Sequence, residues 1–106
     1  MTYSTRIFMI KTLKKNLAAL QRSLPTLRRE YQVRHLGIFG SVARGVATKK
    51  SDIDILIEFT KPIGFFKFVR LERELGHLLG RPVDLVTKRA LKPAIKRGIL
   101  KDVRYV

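Results

Sequence analysis

Residues 37–59 read GIFGSVARGVATKKSDIDILIEF. Gly40-Ser41 closes one apolar run, and after ten intervening residues Asp52-Ile53-Asp54 opens another. The second run alternates as a strand does. Ile53, Ile55 and Ile57 share one face, and Asp52, Asp54, Leu56 and Glu58 share the other. Residues i and i+2 of a strand point the same way, so Asp52 and Asp54 project side by side, at most ~7 Å apart at Cα. Two carboxylates so close repel each other. A divalent cation between them is the usual resolution. Hard carboxylate oxygens suit Mg²⁺, which keeps waters and phosphates among its ligands.

Working outward, residues 33–39, VRHLGIF, read as a strand before the Gly-Ser turn. Lys61-Pro62 and Gly64 break the chain after the acidic run. Phe65, Phe68, Val69, Leu71, Leu75, Leu78 and Leu79 then recur at helical spacing over about 64–79, with Gly80 placed to cap the C-terminus. PVDLVT, 82–87, is a short strand, and KPAIKRGIL from about 91 a final helix with Pro93 in its first turn. Toward the N-terminus, Leu13, Leu17, Leu20, Leu24 and Leu27 form one helical stripe. Pro25 falls inside it, which predicts two helices, about 10–22 and 25–31, with Ser23 as a cap between them. The order ααβ(α)βαβα points to an α/β (α+β) domain, a small mixed sheet flanked by helices.

Asp84 sits between Val83 and Leu85 in the third strand, a position where a charge needs a partner. If that strand lies beside 52–59, three acids meet on one sheet face. Three carboxylates can hold two metal ions ~3.5–4 Å apart, the arrangement of polymerase-type phosphoryl transfer. Gly40 lets backbone approach a ligand closely. A helical turn starting at Ser41 would present free N–H groups to phosphate, and Arg44, one turn on, could add a bidentate contact. Lys49 and Lys50 stand close enough in sequence to assist phosphates, or are plain solvated loop lysines. Each of these features alone is ordinary. Gly-Ser-x10-Asp-x-Asp, however, arises by chance in roughly one chain in several hundred of this length, taking each residue type at about one in fifteen.

The chain has 106 residues, 45% of them hydrophobic, which suits one domain with one core. Residues 1–10 read as a loose N-terminal extension, with Met9 an alternative start. Cysteine is absent, so disulfides and thiolate metal sites are excluded, in keeping with a cytoplasmic protein. No apolar run nears the ~20 residues of a membrane span, so no membrane partner is expected. Lys and Arg number 23 against 8 acids, a net charge of +15, which attracts polyanions and leaves a nucleic-acid ligand open. Against that, no aromatic-rich basic strand appears. His35 and His77 stand apart from any second histidine and read as structural or surface residues.

FGSVARG, SDIDILIEF and RPVDLVT together resemble the nucleotidyltransferases of the DNA polymerase beta superfamily. More closely, the chain resembles the minimal nucleotidyltransferases, antitoxin partners of HEPN-domain toxins. The likeness extends from about residue 12 to Val106 with no insertion or gap between motifs. It implies a polymerase beta-like fold. It also implies that Gly40 and Ser41 contact the triphosphate, with Arg44 in the same turn. Asp52 and Asp54 would be metal-binding acids, and Asp84 the third acid, which orients or deprotonates the accepting hydroxyl. The implied reaction is Mg²⁺-dependent transfer of AMP from ATP to a toxin tyrosine, disabling its RNase activity within a hetero-oligomer. Two alternatives stand beside it: an antitoxin acting by complex formation alone, and a nucleotidyltransferase directed at nucleic acid. Self-modification at Tyr3, Tyr31 or Tyr105 is a further possibility that the residues leave open.

Overall fold

The structure is a computed structural model that describes residues 3–48 and 50–106. A long helix, α1 (Tyr3–Tyr31), leads into β1 (Val33–Phe39). A single helical turn, α2 (Gly40–Ala43), then precedes β2 (Ile53–Phe59) and α3 (Phe65–Leu79). β3 (Val83–Thr87), a 3₁₀ turn (Lys88–Ala90), α4 (Pro93–Asp102) and the short β4 (Arg104–Tyr105) complete the chain. The four strands form one mixed sheet in the order β3-β2-β1-β4. β1 pairs antiparallel with β2 and β4, and β2 pairs parallel with β3.

Alternation in β2 sets the two faces. Ile53, Ile55 and Ile57 are fully buried. Register places Ile55 opposite Ile38 and Leu85, and Ile57 opposite Leu36. Leu20, Leu24 and Leu27 of α1 and Leu71 and Leu75 of α3 belong to the same cluster. Each buried aliphatic side chain contributes about 1.5–3 kcal/mol. The other face carries Asp54, Leu56 and Glu58. Gly37 of β1, opposite Leu56, lies beneath the C-terminal segment: a Cβ there would meet Val103 Cγ2 at 2.7 Å and Tyr105 Cδ1 at 3.1 Å.

Three expectations are corrected. α1 does not break at Pro25; it is one helix of 29 residues. Pro25 is exposed, so the carbonyl that loses its N–H partner can bond water. Leu24 and Leu27, on either side of it, are both buried. Their packing offsets the ~3 kcal/mol an interior proline costs. The helix also begins at Tyr3 rather than near residue 10. Finally, Phe65 is not in the buried stripe of α3: it is 74% exposed, and Phe66 84%. The stripe proper is Phe68, Leu71, Leu75 and Leu79. Gly80 does close α3, in the left-handed conformation, with its N–H donated to the Gly76 carbonyl. No helix among the described residues is long and apolar enough to cross a membrane.

Candidate active site

Two of the three acids stand on neighbouring strands, and the third stands just before one of them. Asp54 is the second residue of β2 and stands directly opposite Asp84, the second of β3, across the parallel pair. Register partners on adjacent strands lie ~4.8 Å apart and point to the same face. Asp52 immediately precedes β2, two residues from Asp54. Asp52 and Asp84 are exposed, and Asp54 is half-buried. Burial, then repulsion from Asp84 and from Asp52, pushes the Asp54 carboxyl above its ordinary range, while Arg44 draws it down. Asp54 therefore senses all three of the other charged groups.

The Gly-Ser turn stands against the same acid. β1 ends at Phe39, the register partner of Asp54, so the turn that follows it is delivered beside that carboxylate. Gly40 has φ +73°, and a Cβ built on it would collide with Asp54 Oδ2 and lie 3.2 Å from Cγ. Only glycine relieves both constraints. α2 has no side-chain cap, and its carbonyls receive the N–H of Arg44 (Gly40 O, 3.1 Å), Gly45 (Val42 O, 3.2 Å) and Val46 (Ser41 O, 3.0 Å). Arg44 reaches from this turn to Asp102 at the end of α4, Nη1 to Oδ2, 3.5 Å.

Oxygen donors of this kind, facing a glycine cradle, fit a hard cation such as Mg²⁺. They are not a closed cage: among the described residues, no three His, Cys, Asp or Glu side chains are placed to hold a metal ion. Mg²⁺ does not require one, because it is commonly held by one or two carboxylates together with substrate phosphates.

Sequence reasoning gave no role to Arg81 or Glu72. Arg81 Nη2 donates to the carbonyls of Thr48 (2.8 Å) and Ser51 (2.5 Å), pinning the loop that delivers Asp52. Ile53 N–H donates to the Pro82 carbonyl (2.9 Å), so the starts of β2 and β3 are tied together. Glu72 Oε2 accepts the N–H of Leu85 (2.9 Å) and steadies the exposed edge of β3 beside Asp84. The local signal for Arg81 was its place three residues before Asp84.

Other candidates lie apart from the acids. Lys49 is outside the described residues; Lys50 is exposed. His35 is exposed and stacks edge-on against Tyr105, and His77 is exposed on α3. Tyr31 is 3% exposed. Burial, and then its hydrogen-bonded neighbour Glu74, push its phenol up to about 12. Tyr105 is half exposed on β4, and the side chain of Tyr3 falls outside what the structure describes.

A family model described as "Nucleotidyltransferase domain" matches residues 20–106, which include all three acids and the Gly-Ser turn. The chain is 42% identical over 95 residues to protein adenylyltransferase MntA of Thermococcus cleftensis, covering 90% of this chain and 96% of that protein. A Methanocaldococcus jannaschii protein, MJ0128, named as a candidate protein adenylyltransferase, is 45% identical over 98 residues, 92% of this chain and 100% of its own. Among solved structures, a candidate minimal nucleotidyltransferase superposes with a TM-score of 0.72 at 32% identity, covering 85% of this chain and 92% of that one. A toxin–antitoxin structure with AMP-PNP superposes with a TM-score of 0.66 at 22% identity (80% of this chain, 70% of that one), a likeness of fold.

Proposed function

The chain belongs to the nucleotidyltransferase domain family, and on that premise we propose that it is an antitoxin that transfers AMP from ATP to a tyrosine hydroxyl of a HEPN-domain toxin. The observation that carries this reading is the register of Asp54 with Asp84, with Gly40 closed against Asp54. The 42%-identical relative is named a protein adenylyltransferase. A neighbour of the same fold is an antitoxin bound to an AMPylated HEPN toxin of Shewanella oneidensis (TM-score 0.53, 19% identity, 99% of this chain and 71% of that one).

In the reaction, Asp84 accepts the proton of the tyrosine hydroxyl. The phenolic oxygen then bonds to the α-phosphorus of ATP as the bond from that phosphorus to the β-phosphate's bridging oxygen breaks. Pyrophosphate leaves. Gly40 and Ser41 cradle the triphosphate through backbone N–H groups, and Arg44 adds a forked contact to phosphate. Asp52 and Asp54, with Asp84 opposite, would hold Mg²⁺ together with substrate phosphates, and the ion would supply neutralisation of charge there. A domain this small has few surfaces with which to grip an acceptor, so choice of acceptor falls largely to the complex.

The open placement of the acids favours one second reading, inhibition by complex formation without chemistry. One experiment separates the two. The protein is mixed with labelled ATP, Mg²⁺ and a candidate HEPN-domain partner, and the partner is weighed by mass spectrometry. A gain of AMP that disappears in Asp52→Asn/Asp54→Asn, with the complex retained, supports transfer. A complex that forms without any gain supports binding alone and overturns the enzymatic reading.

A further inference from the structure

We propose that the apolar groove at the far end of the β2–β3 pair is where the protein partner docks, and that it receives an acidic segment of that partner bearing a protruding apolar side chain. The inference rests on the reading above in taking the partner to be a protein. The groove has a volume of about 690 Å³, and Ile57, Phe59, Pro62, Ile63, Phe65 and Phe68 supply its apolar lining. Phe66 stands beside Phe65, ring centroids 5.6 Å apart in an edge-to-face pair. Two adjacent phenylalanines left largely in water, beside an open apolar groove, are the kind of patch that anchors a partner.

Charge selects the occupant. Lys61, Lys88, Arg89 and Lys96 line the groove, with Glu58 the one acid among its lining residues. None of the four cations forms an ion pair among the described residues. α3 also begins here. Its N-cap, Gly64, makes no side-chain bond, and its first turn contains no acid. The first N–H groups of a helix want acceptors, and the positive end of its dipole favours a carboxylate. A partner's Asp or Glu would answer the cations and the uncapped helix together, while a neighbouring apolar side chain fills the groove. Nucleic acid would satisfy the cations too. It would find walls of Ile57, Ile63 and Phe68 with no donors for base edges, and two phenylalanines packed on each other rather than arrayed for stacking.

Ile57 and Thr87 are register partners at the near lip of the groove. They lie three positions along the strands from Asp54 and Asp84, ~10 Å at strand rise, and an odd offset turns them to the opposite face of the sheet. The groove is therefore separate from the acids, and a partner seated in it leaves them open to ATP.

The test places p-benzoylphenylalanine at Phe66 and, as a control, at the exposed Gln21 of α1, in the full chain mixed with a candidate HEPN-domain partner. Irradiation is expected to link position 66, but not 21, to a partner segment rich in Asp and Glu. In parallel, Lys88→Glu/Arg89→Glu and Phe65→Asp are expected to weaken the complex ~10–100-fold while binding ATP as before. Circular dichroism checks that each variant folds. The proposal is overturned by unchanged affinity, by cross-links from position 66 to a segment without acids, by absence of any complex, or by displacement of the partner with single-stranded RNA. Loss of ATP binding together with partner binding overturns it too, since the groove would then be a nucleotide subsite. AMP transfer is measured on the same samples. Transfer without groove dependence rejects the docking site alone, and groove-dependent binding without transfer rejects the enzymatic reading alone.

Discussion

Gly40 and Gly45 share the same backbone conformation, φ +73°, yet differ in what surrounds them. A Cβ at Gly45 would meet nothing within 4 Å, whereas a Cβ at Gly40 would collide with the Asp54 carboxylate. Alanine at either position incurs the left-handed penalty, about 1–2 kcal/mol, partly offset by about 0.4–1 kcal/mol from a stiffer unfolded chain. Gly45→Ala should therefore lose about 1 kcal/mol. Gly40→Ala adds overpacking. Asp54 is short, and its backbone is held on both sides, by β1 and by β3, so the carboxylate must rotate away or the turn must shift. Overpacking of this kind costs about 1–3 kcal/mol, for a total of about 2–4. At about 4–8 °C per kcal/mol for a domain of this size, Gly45→Ala should melt roughly 5 °C lower and Gly40→Ala roughly 10–25 °C lower.

Activity should separate the pair more sharply than stability. A displacement of ~1 Å at a reacting group lowers rate by ~100-fold. AMP transfer to the HEPN-domain partner, assayed below both melting temperatures, should be near normal in Gly45→Ala and about 100-fold slower in Gly40→Ala. Equal activity in the two variants would refute the claim that Gly40 is required by its contact with Asp54, and would leave only a preference for positive φ.

Three further outcomes are expected. Because burial and its acidic neighbours raise the Asp54 carboxyl, its protonated form favours the fold, and that contribution is lost as pH rises through the raised value. Asp54→Asn should therefore raise the melting temperature at pH 8 relative to the unmutated chain, with the advantage shrinking toward pH 4, while transfer is abolished; a lower melting temperature at pH 8 would count against the repulsion. Arg81→Ala removes both bonds to the 48–51 loop, so amide exchange at Ser51 and Ile53 should quicken and transfer should fall, with partial recovery in Arg81→Lys, which can still reach one carbonyl. Gly37→Ala drives a methyl into Val103 Cγ2 and, at 2.9 Å, the Arg104 carbonyl; it should loosen β4 and lower stability by about 1–3 kcal/mol, read by denaturant unfolding.

How far the residues alone carried the reading depended on the range of the physics involved. The alternation of Ile53, Ile55 and Ile57 is local, and it marks β2 and its buried face, with Asp52 falling just before the strand. Gly80 was legible for the same reason, since a helix end calls for a left-handed residue. The fate of Pro25 was not legible: whether the helix survives is decided by where its leucines pack, and those partners lie in β1, β2 and α3. Phe65 misled in the opposite sense, because apolar periodicity reports a face and not whether anything covers it. The pairing of Asp54 with Asp84 was stated only as a condition, that β3 lie beside β2, and only the sheet order could supply it. Arg81 shows most clearly where local reading ends. Its two acceptors are carbonyls 30 and 33 residues away, and a carbonyl has no letter in a sequence. Yet the approach of Asp52 depends on it, since Asp52 enters β2 from the loop that Arg81 holds and Asp84 stands three residues after Arg81. The acids are thus readable as chemistry from their identity, while the register of Asp54 with Asp84 and the guanidinium that holds the loop before Asp52 are supplied only by the fold.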